Sequence, residues 1–198
     1  MTMSPREIVF ASNNAHKLSE IRQLAGARFR ILSLADIGCH DDIPETADTL
    51  AGNSLIKARW IKDKYGYDCF ADDTGLIVES LGGAPGVKSA RYAGEACDPQ
   101  ANMALLLRNM EEVADRRAAF ETVITLIMGD EVHQFTGRVE GEIALRPDGN
   151  SGFGYDPVFI AAETGLTFAS MTSEAKNAIS HRGRATRLLF EYLDSLPD

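Results

Sequence analysis

The stretch "IVFASNNAHKLSEIRQLA", residues 8–25, changes its hydrophobic period part-way along. Ile8 to Ala11 form a short continuous apolar run, the pattern of a buried strand; "SNNAHK" (12–17) is turn-forming, and Leu18, Ile21, Leu24 and Ala25 then follow helical spacing. The result is a strand, loop and helix in succession, the unit from which α/β folds are built.

Further along, the pattern repeats before it changes. A second strand is predicted over Phe29 to Leu34, and after the polar stretch "GCHDDIPETADT" (38–49) a helix from about Thr49 to Lys64, with Leu50, Leu55, Ala58 and Ile61 inward. The apolar run Cys69-Phe70-Ala71 reads as a third strand leading into "DDTG" (72–75). "SLGGAPGVKSARYAGEAC" (80–97) interleaves glycines with Val87, Arg91 and Tyr92, which predicts an ordered surface loop. Asp98-Pro99 starts another helix, with an N-cap aspartate and proline at the first helical position. Two extended runs around Gly129-Asp130 predict a β-hairpin. Ala185, Leu188, Leu189, Tyr192 and Leu193 predict an amphipathic last helix from Ser180. Strand–helix alternation followed by a hairpin gives an α/β fold with a mixed sheet, in one domain over residues 1–198.

The 198 residues carry 20 Lys plus Arg against 29 Asp plus Glu, a net charge of −9. That balance argues against nucleic acid or an anionic membrane as the main partner. Cys39, Cys69 and Cys97 are odd in number, widely spaced and without a CxxC pair, so they read as reduced thiols. No run approaches the ~20 apolar residues of a membrane span, and Ile8 to Ala11 is too short for a signal-peptide core. The expectation is a cytoplasmic protein.

Four motifs can carry chemistry. "ASNNAHK" (11–17) places small polar residues between a strand and a helix, where backbone N–H groups and the helix dipole receive phosphate and Lys17 adds a full charge; the alternative is that Ser12 and the asparagines only cap the helix. Asp72 and Asp73 at the strand end, with Glu45 in "DDIPET", are hard oxygen ligands of the kind Mg²⁺ takes; the alternative is a solvated turn. In "SGFGYD" (151–156), Phe153 is placed to stack on a nucleobase and Asp156 to bond its edge, unless Phe153 and Tyr155 are core residues. In "KNAISHRGRA" (176–185), Lys176, His181 and Arg182 cluster around a helix start at Ser180, which is otherwise a solvated helix end.

The chain resembles the inosine triphosphate pyrophosphatases, also called dITP/XTP pyrophosphatases, through "ASNNAHKLSEI", "NSLIKAR", "ADDTGL", "LGGAPGVKSARYAGE", "GFGYDPVF" and "AISHRGRA", in order and over nearly its whole length. The resemblance implies a long central mixed sheet flanked by helices in two lobes with the active-site cleft between them. It also implies a homodimer and Mg²⁺-dependent hydrolysis of ITP, dITP or XTP to the monophosphate and pyrophosphate. Residue by residue, it assigns the triphosphate to Ser12, Asn13, Asn14, Ala15, His16 and Lys17, and makes Asp73 the proton acceptor and a metal ligand. Glu45 becomes a second metal carboxylate, and Thr74, Phe153, Gly154, Tyr155, Asp156, Lys176, His181 and Arg182 substrate contacts. Thr74 stands where the family often has serine, and Gly52 where many members have glutamate.

Strand geometry refines the aspartate pair. Successive side chains point to opposite faces, so if the strand persists through both, only one of them faces the site; the resemblance implies Asp73, and geometry then turns Asp72 away. The competing readings are a nucleotide sensor without hydrolysis, and a related pyrophosphatase for other modified or pyrimidine nucleotides.

Overall fold

Arg6–Phe10 forms the first strand, β1, flanked on both sides by parallel partners, β2 (Phe29–Leu32) and β3 (Cys69–Val78). Helix α1 (Ala15–Leu24) connects β1 to β2, and α2 (Leu50–Tyr65) connects β2 to β3. The first connection therefore runs from β1 to its neighbour on one side, and the second returns from β2 past β1 to the neighbour on the other side. At such a reversal the loops at the carboxyl ends of the strands part, which is where open α/β sheets place their ligands. The register sets Val9 against Cys69 and Phe10 against Phe70, so the chain leaving β1 at Ser12 runs beside Asp72.

The computed structural model describes residues 5–197. Its sheet has the order β2-β1-β3-β4-β5-β6, with β4 (Arg117–Met128) and β5 (Glu131–Ile143) joined at Gly129-Asp130 and β6 (Phe159–Ala161) antiparallel to β5. The mixed α/β sheet and the hairpin match the sequence reading. The second strand ends at Leu32 rather than Leu34. The stretch 80–97 is ordered as expected but contains helical turns, at Glu79–Leu81 and Gly86–Arg91.

The chain divides into two units, each with its own core. The first consists of the chain up to Asp73, Val123–Thr136 and the chain from Ala185. Within it the sheet is covered on both faces. Ile8, Phe10, Phe70, Ile124 and Leu126 pack against Leu18 and Ile21 of α1 and against Ala185, Leu189 and Leu193 of the last helix, α5 (His181–Ser195). Val9, Ala11, Leu32, Cys69, Ala71 and Ile127 turn the other way, toward Ala58 and Ile61 of α2. The strict alternation between these two sets is the period-2 signature of strands buried on both sides. Leu55 is only partly buried, and the α2 face turned to the sheet carries Asn53 and Ser54 instead. In α5, Leu188 is 44% exposed, while Thr186 and Phe190 are buried in its place.

The second unit, Thr74–Thr122 with Gly137–Arg184, centres on Leu76, Val78, Phe120, Val139, Ile143, Val158, Phe159 and Phe168, closed by Met103 and Leu106 of α3 (Pro99–Asn109). Asp98 caps α3 as the sequence predicts, accepting from the Gln100 and Ala101 N–H groups. A short helix, α4 (Ser173–Ile179), precedes α5, and Ser180 between them takes the Gly183 N–H on its Oγ, the N-cap expected there. Cys39 and Cys69 are buried free thiols and Cys97 is exposed.

Candidate active site

The loop after β1 is shaped by its own side chains. Ser12 Oγ accepts the Asn14 N–H at 3.0 Å, Asn13 Oδ1 accepts the Ala35 N–H at 2.9 Å, and Asn14 is the N-cap of α1, accepting the Lys17 N–H at 3.1 Å. Of the three, Asn14 alone caps α1, so the capping alternative applies to that residue, while Ser12 and Asn13 bond the loop and the turn at Ala35. Asn13, Asn14, Ala15 and His16 are exposed. A shallow groove along α1, lined by Asn13, Ala15, Leu18, Ser19, Arg22 and Gln23, contains none of the acidic residues of the motif.

Asp72 and Asp73 both lie in β3, so the alternation expected of a strand applies. Asp72 follows Phe70 onto the α1 face, where the Lys17 ammonium lies 3.1 Å from its Oδ1. Asp73 follows Cys69 and Ala71 onto the α2 face, where Lys57 Nζ lies 3.6 Å from its Oδ1. The same ammonium donates to Glu45 Oε1 at 2.8 Å. Lys57 thus joins the two carboxylates picked out in the sequence, although it had been given no role there. A signal was present: Lys57 falls on the inward stripe of α2 with Asn53, Ser54, Ala58 and Ile61, and a lysine on a buried stripe needs a partner.

Burial is the main cause that pushes Asp73 up to about 6 from 3.8; Lys57 opposes it, while the charges of Glu45 and Asp72 add to it. For Lys57, burial works against the ammonium but Asp72, Asp73 and Glu45 outweigh it, so it titrates above an ordinary lysine. Asp73 Oδ2 is buried with no hydrogen-bond partner among the described residues. A buried carboxylate oxygen left open costs free energy unless something arrives to use it. Among the described residues no three His, Cys, Asp or Glu side chains gather to hold a metal. Glu45 and Asp73 are nonetheless a fitting pair for Mg²⁺, which takes one or two protein carboxylates and completes its shell with phosphate oxygens and water.

In the second unit Phe153 is half-buried, and two cations lie over its ring, Lys176 Nζ at 4.9 Å and the Arg182 guanidinium at 5.5 Å from the centroid. Asp156 is 3% exposed, and its Oδ2 accepts both the Phe153 N–H at 2.9 Å and Lys176 Nζ at 2.7 Å. Gly152 makes that fit possible: at φ +77° it adopts a conformation that favours glycine, and a Cβ there would lie 2.1 Å from Asp156 Oδ2. Arg182 also reaches Thr74 Oγ1 at 3.4 Å, and that hydroxyl meets Thr122 Oγ1 at 2.7 Å. Tyr155 is buried with its Oη donating to the Ser89 carbonyl at 2.6 Å, and burial pushes its phenol upward. The His181 ring packs against Phe120 and Phe168, with centroids 4.5 and 6.0 Å away, and those two phenyl rings also stack on each other at 5.9 Å. Lys176 and Arg182 gather at Phe153, whereas the rings of Tyr155 and His181 are packed into the core.

A model of the Ham1 family matches residues 8–192. The chain belongs to the Ham1 family. Among Ham1-type relatives, the dITP/XTP pyrophosphatase of Flavobacterium psychrophilum is 52% identical over 94% of this chain and 98% of its own, and that of Porphyromonas gingivalis is 52% identical over 94% and 97%. The solved Ham1 protein of Staphylococcus aureus superposes with a TM-score of 0.88 at 37% identity, covering 96% of this chain and 98% of that one. Within this Ham1 chain Gly52 packs closely: a Cβ there would lie 2.6 Å from the Ala47 Cβ.

Proposed function

We propose that this chain hydrolyses ITP, dITP and XTP to the monophosphate and pyrophosphate, with Mg²⁺ as cofactor, and acts in the cytoplasm as a homodimer whose 198 residues serve as one functional domain. The observation that carries the reading is Asp73: a buried carboxylate midway along β3 with one oxygen unpartnered among the described residues, set beside Glu45 and Lys57. The names of the near-full-length relatives supply the substrate class.

The triphosphate is assigned to the loop from Ser12 to Lys17, where helix N–H groups and the Lys17 ammonium offset its charge. Water attacks the α-phosphorus; the bond to the bridging oxygen breaks and pyrophosphate leaves, while Asp73 accepts the proton of the water. Glu45 and Asp73 would hold the metal, which when bound supplies Lewis-acid charge stabilisation to the phosphates.

Base recognition is assigned to Phe153, Lys176 and Arg182. Lysine and arginine side chains only donate hydrogen bonds, so they match a 6-oxo group and oppose the amino group of adenine. A donor left unpaired costs roughly 1–3 kcal/mol, which is about tenfold to a hundredfold in selectivity. Pyrophosphate release from ITP, XTP, dITP, GTP, ATP, UTP and dTTP with Mg²⁺ tests this. ITP turnover at least tenfold above ATP, with pyrophosphate rather than orthophosphate as the primary product, is expected. Orthophosphate as first product, equal use of ATP, or nucleotide binding without turnover overturns it.

A further inference from the structure

The acidic stretch before α2 has no regular secondary structure, yet it is laid out with strand-like order. From residue 41 to 48 burial alternates strictly: Asp41, Ile43, Glu45 and Ala47 are half-buried, and Asp42, Pro44, Thr46 and Asp48 are exposed. The inward residues meet one stripe of α2 in reverse order. The Ala47 N–H donates to Asn53 Oδ1 at 2.9 Å, Glu45 takes Lys57 at 2.8 Å, and Ile43 packs against the cluster of Ala58 and Ile61. Asp41 receives four donor contacts: Trp60 Nε1 at 2.8 Å, Tyr65 Oη at 3.0 Å, and Lys64 Nζ at 2.8 and 2.7 Å to its two oxygens. Two residues of extended chain advance about 6.6 Å and four residues of helix about 6 Å, so the two periods stay in step along this contact. At the far end Gly52 lets the Ala47 methyl rest directly on the helix, since any Cβ there would come within 2.6 Å of it.

We propose that residues 41–47 are a rigid strap whose work is to hold the Glu45 carboxylate at its place beside Lys57 and Asp73, with Asp41 and Gly52 as the positioning residues that pin its two ends. Neither needs to touch substrate or metal. The strap rests on the reading above in one respect, that Glu45 serves a divalent cation.

The test compares wild type with Asp41→Asn and Gly52→Ala, and with Asp42→Asn as a control that removes the same charge one residue away on the exposed side. Mn²⁺ binding to the nucleotide-free chain is followed by loss of the free-ion paramagnetic resonance signal, and hydrogen exchange is read at the amides of residues 43–47. Asp41→Asn and Gly52→Ala are expected to weaken Mn²⁺ about tenfold and to speed exchange at least tenfold, with Asp42→Asn like wild type within twofold. The Mg²⁺ needed for half-maximal ITP turnover should rise by a similar factor, and the rate at saturating Mg²⁺ should recover to within about twofold. Asp41→Asn matching Asp42→Asn in both Mn²⁺ affinity and exchange overturns the strap. Were Asp41→Asn to lose its cooperative melting transition, Lys64→Gln, which removes one of the four-contact partners from the solvent side, takes its place under the same criteria. Wild type that binds Mn²⁺ but turns over no nucleotide overturns the proposed function instead, and the strap is then decided by Mn²⁺ affinity and exchange alone.

Discussion

Asp72 and Asp73 are chain neighbours whose carboxylates meet lysines from helices on opposite faces of the sheet, Lys17 of α1 at 3.1 Å and Lys57 of α2 at 3.6 Å. The two carboxylates take different nearest lysines, although the charge of Asp72 also acts on Lys57 and Asp73. Replacing one should therefore not mimic replacing the other. Asp73→Asn is expected to lower ITP turnover by about 10²–10⁴-fold, the usual scale for a lost proton acceptor, while nucleotide still binds. Asp72→Asn should cost at least tenfold less in turnover, and the reverse order of sensitivity would refute the assignment of Asp73.

Asp73 also makes stability depend on pH. Its folded pKa of about 6 lies above the ordinary 3.8, so below about pH 4 both states are protonated and it contributes nothing. Between these values the unfolded chain ionises first and the folded state loses ground; above about pH 6 the loss is complete, on the order of 2 kcal/mol. Asp73→Asn should then stabilise the metal-free protein by about that amount at pH 7.5 and change little at pH 4, as read by urea unfolding.

Metal addition gives the complementary result. A cation that binds only the folded chain raises its stability by mass action. Millimolar Mg²⁺ should raise the melting temperature of wild type and leave Asp73→Asn unmoved; an equal shift in both would remove Asp73 from the metal site.

The Asp156–Lys176 pair is buried on both sides, with side chains 5% and 6% exposed. Removing one member strands the other charge, which costs roughly 3–5 kcal/mol in such settings. Asp156→Asn should reach that range in denaturant unfolding. Combining it with Lys176→Met should recover part of the loss, since the two changes share one interaction.

In α5 the exposed and buried leucines are adjacent, which makes a clean comparison. Leu189→Ala should destabilise by about 2–4 kcal/mol, and Leu188→Ala by no more than about 0.5 kcal/mol.

That contrast also marks where the sequence stopped being legible. Strand β1, the start of β3, both crossover helices, the hairpin at Gly129-Asp130 and the caps at Asp98 and Ser180 follow from period and turn chemistry alone, but β3 runs on through Asp72 to Val78, where the sequence predicts a turn at Thr74-Gly75. The spacing of α5 predicts a stripe of Ala185, Leu188, Leu189, Tyr192 and Leu193, whereas from Ala185 onward the buried set is Ala185, Thr186, Leu189, Phe190 and Leu193. At about 100° per residue Leu188 lies some 130° from the middle of that set. Spacing fits several stripes, and only the packed partner decides which one turns inward. The candidate site shows the same limit. Asp73, Glu45 and Lys17 were found by residue type and position, whereas Lys57 was hidden inside a helix that otherwise read as amphipathic. Tyr155 and His181 carry polar atoms that suggest contact with a ligand, yet an aromatic core close to both claims their rings.

The thiols offer a practical handle. Cys39 and Cys69 are 1% and 0% exposed, and burial pushes the Cys69 thiol up to about 12, far from the reactive thiolate at neutral pH. Cys97 alone among the three faces solvent. A maleimide dye or nitroxide added to the unaltered protein should attach at that one position, giving a spectroscopic reporter on the second unit without a single engineered substitution.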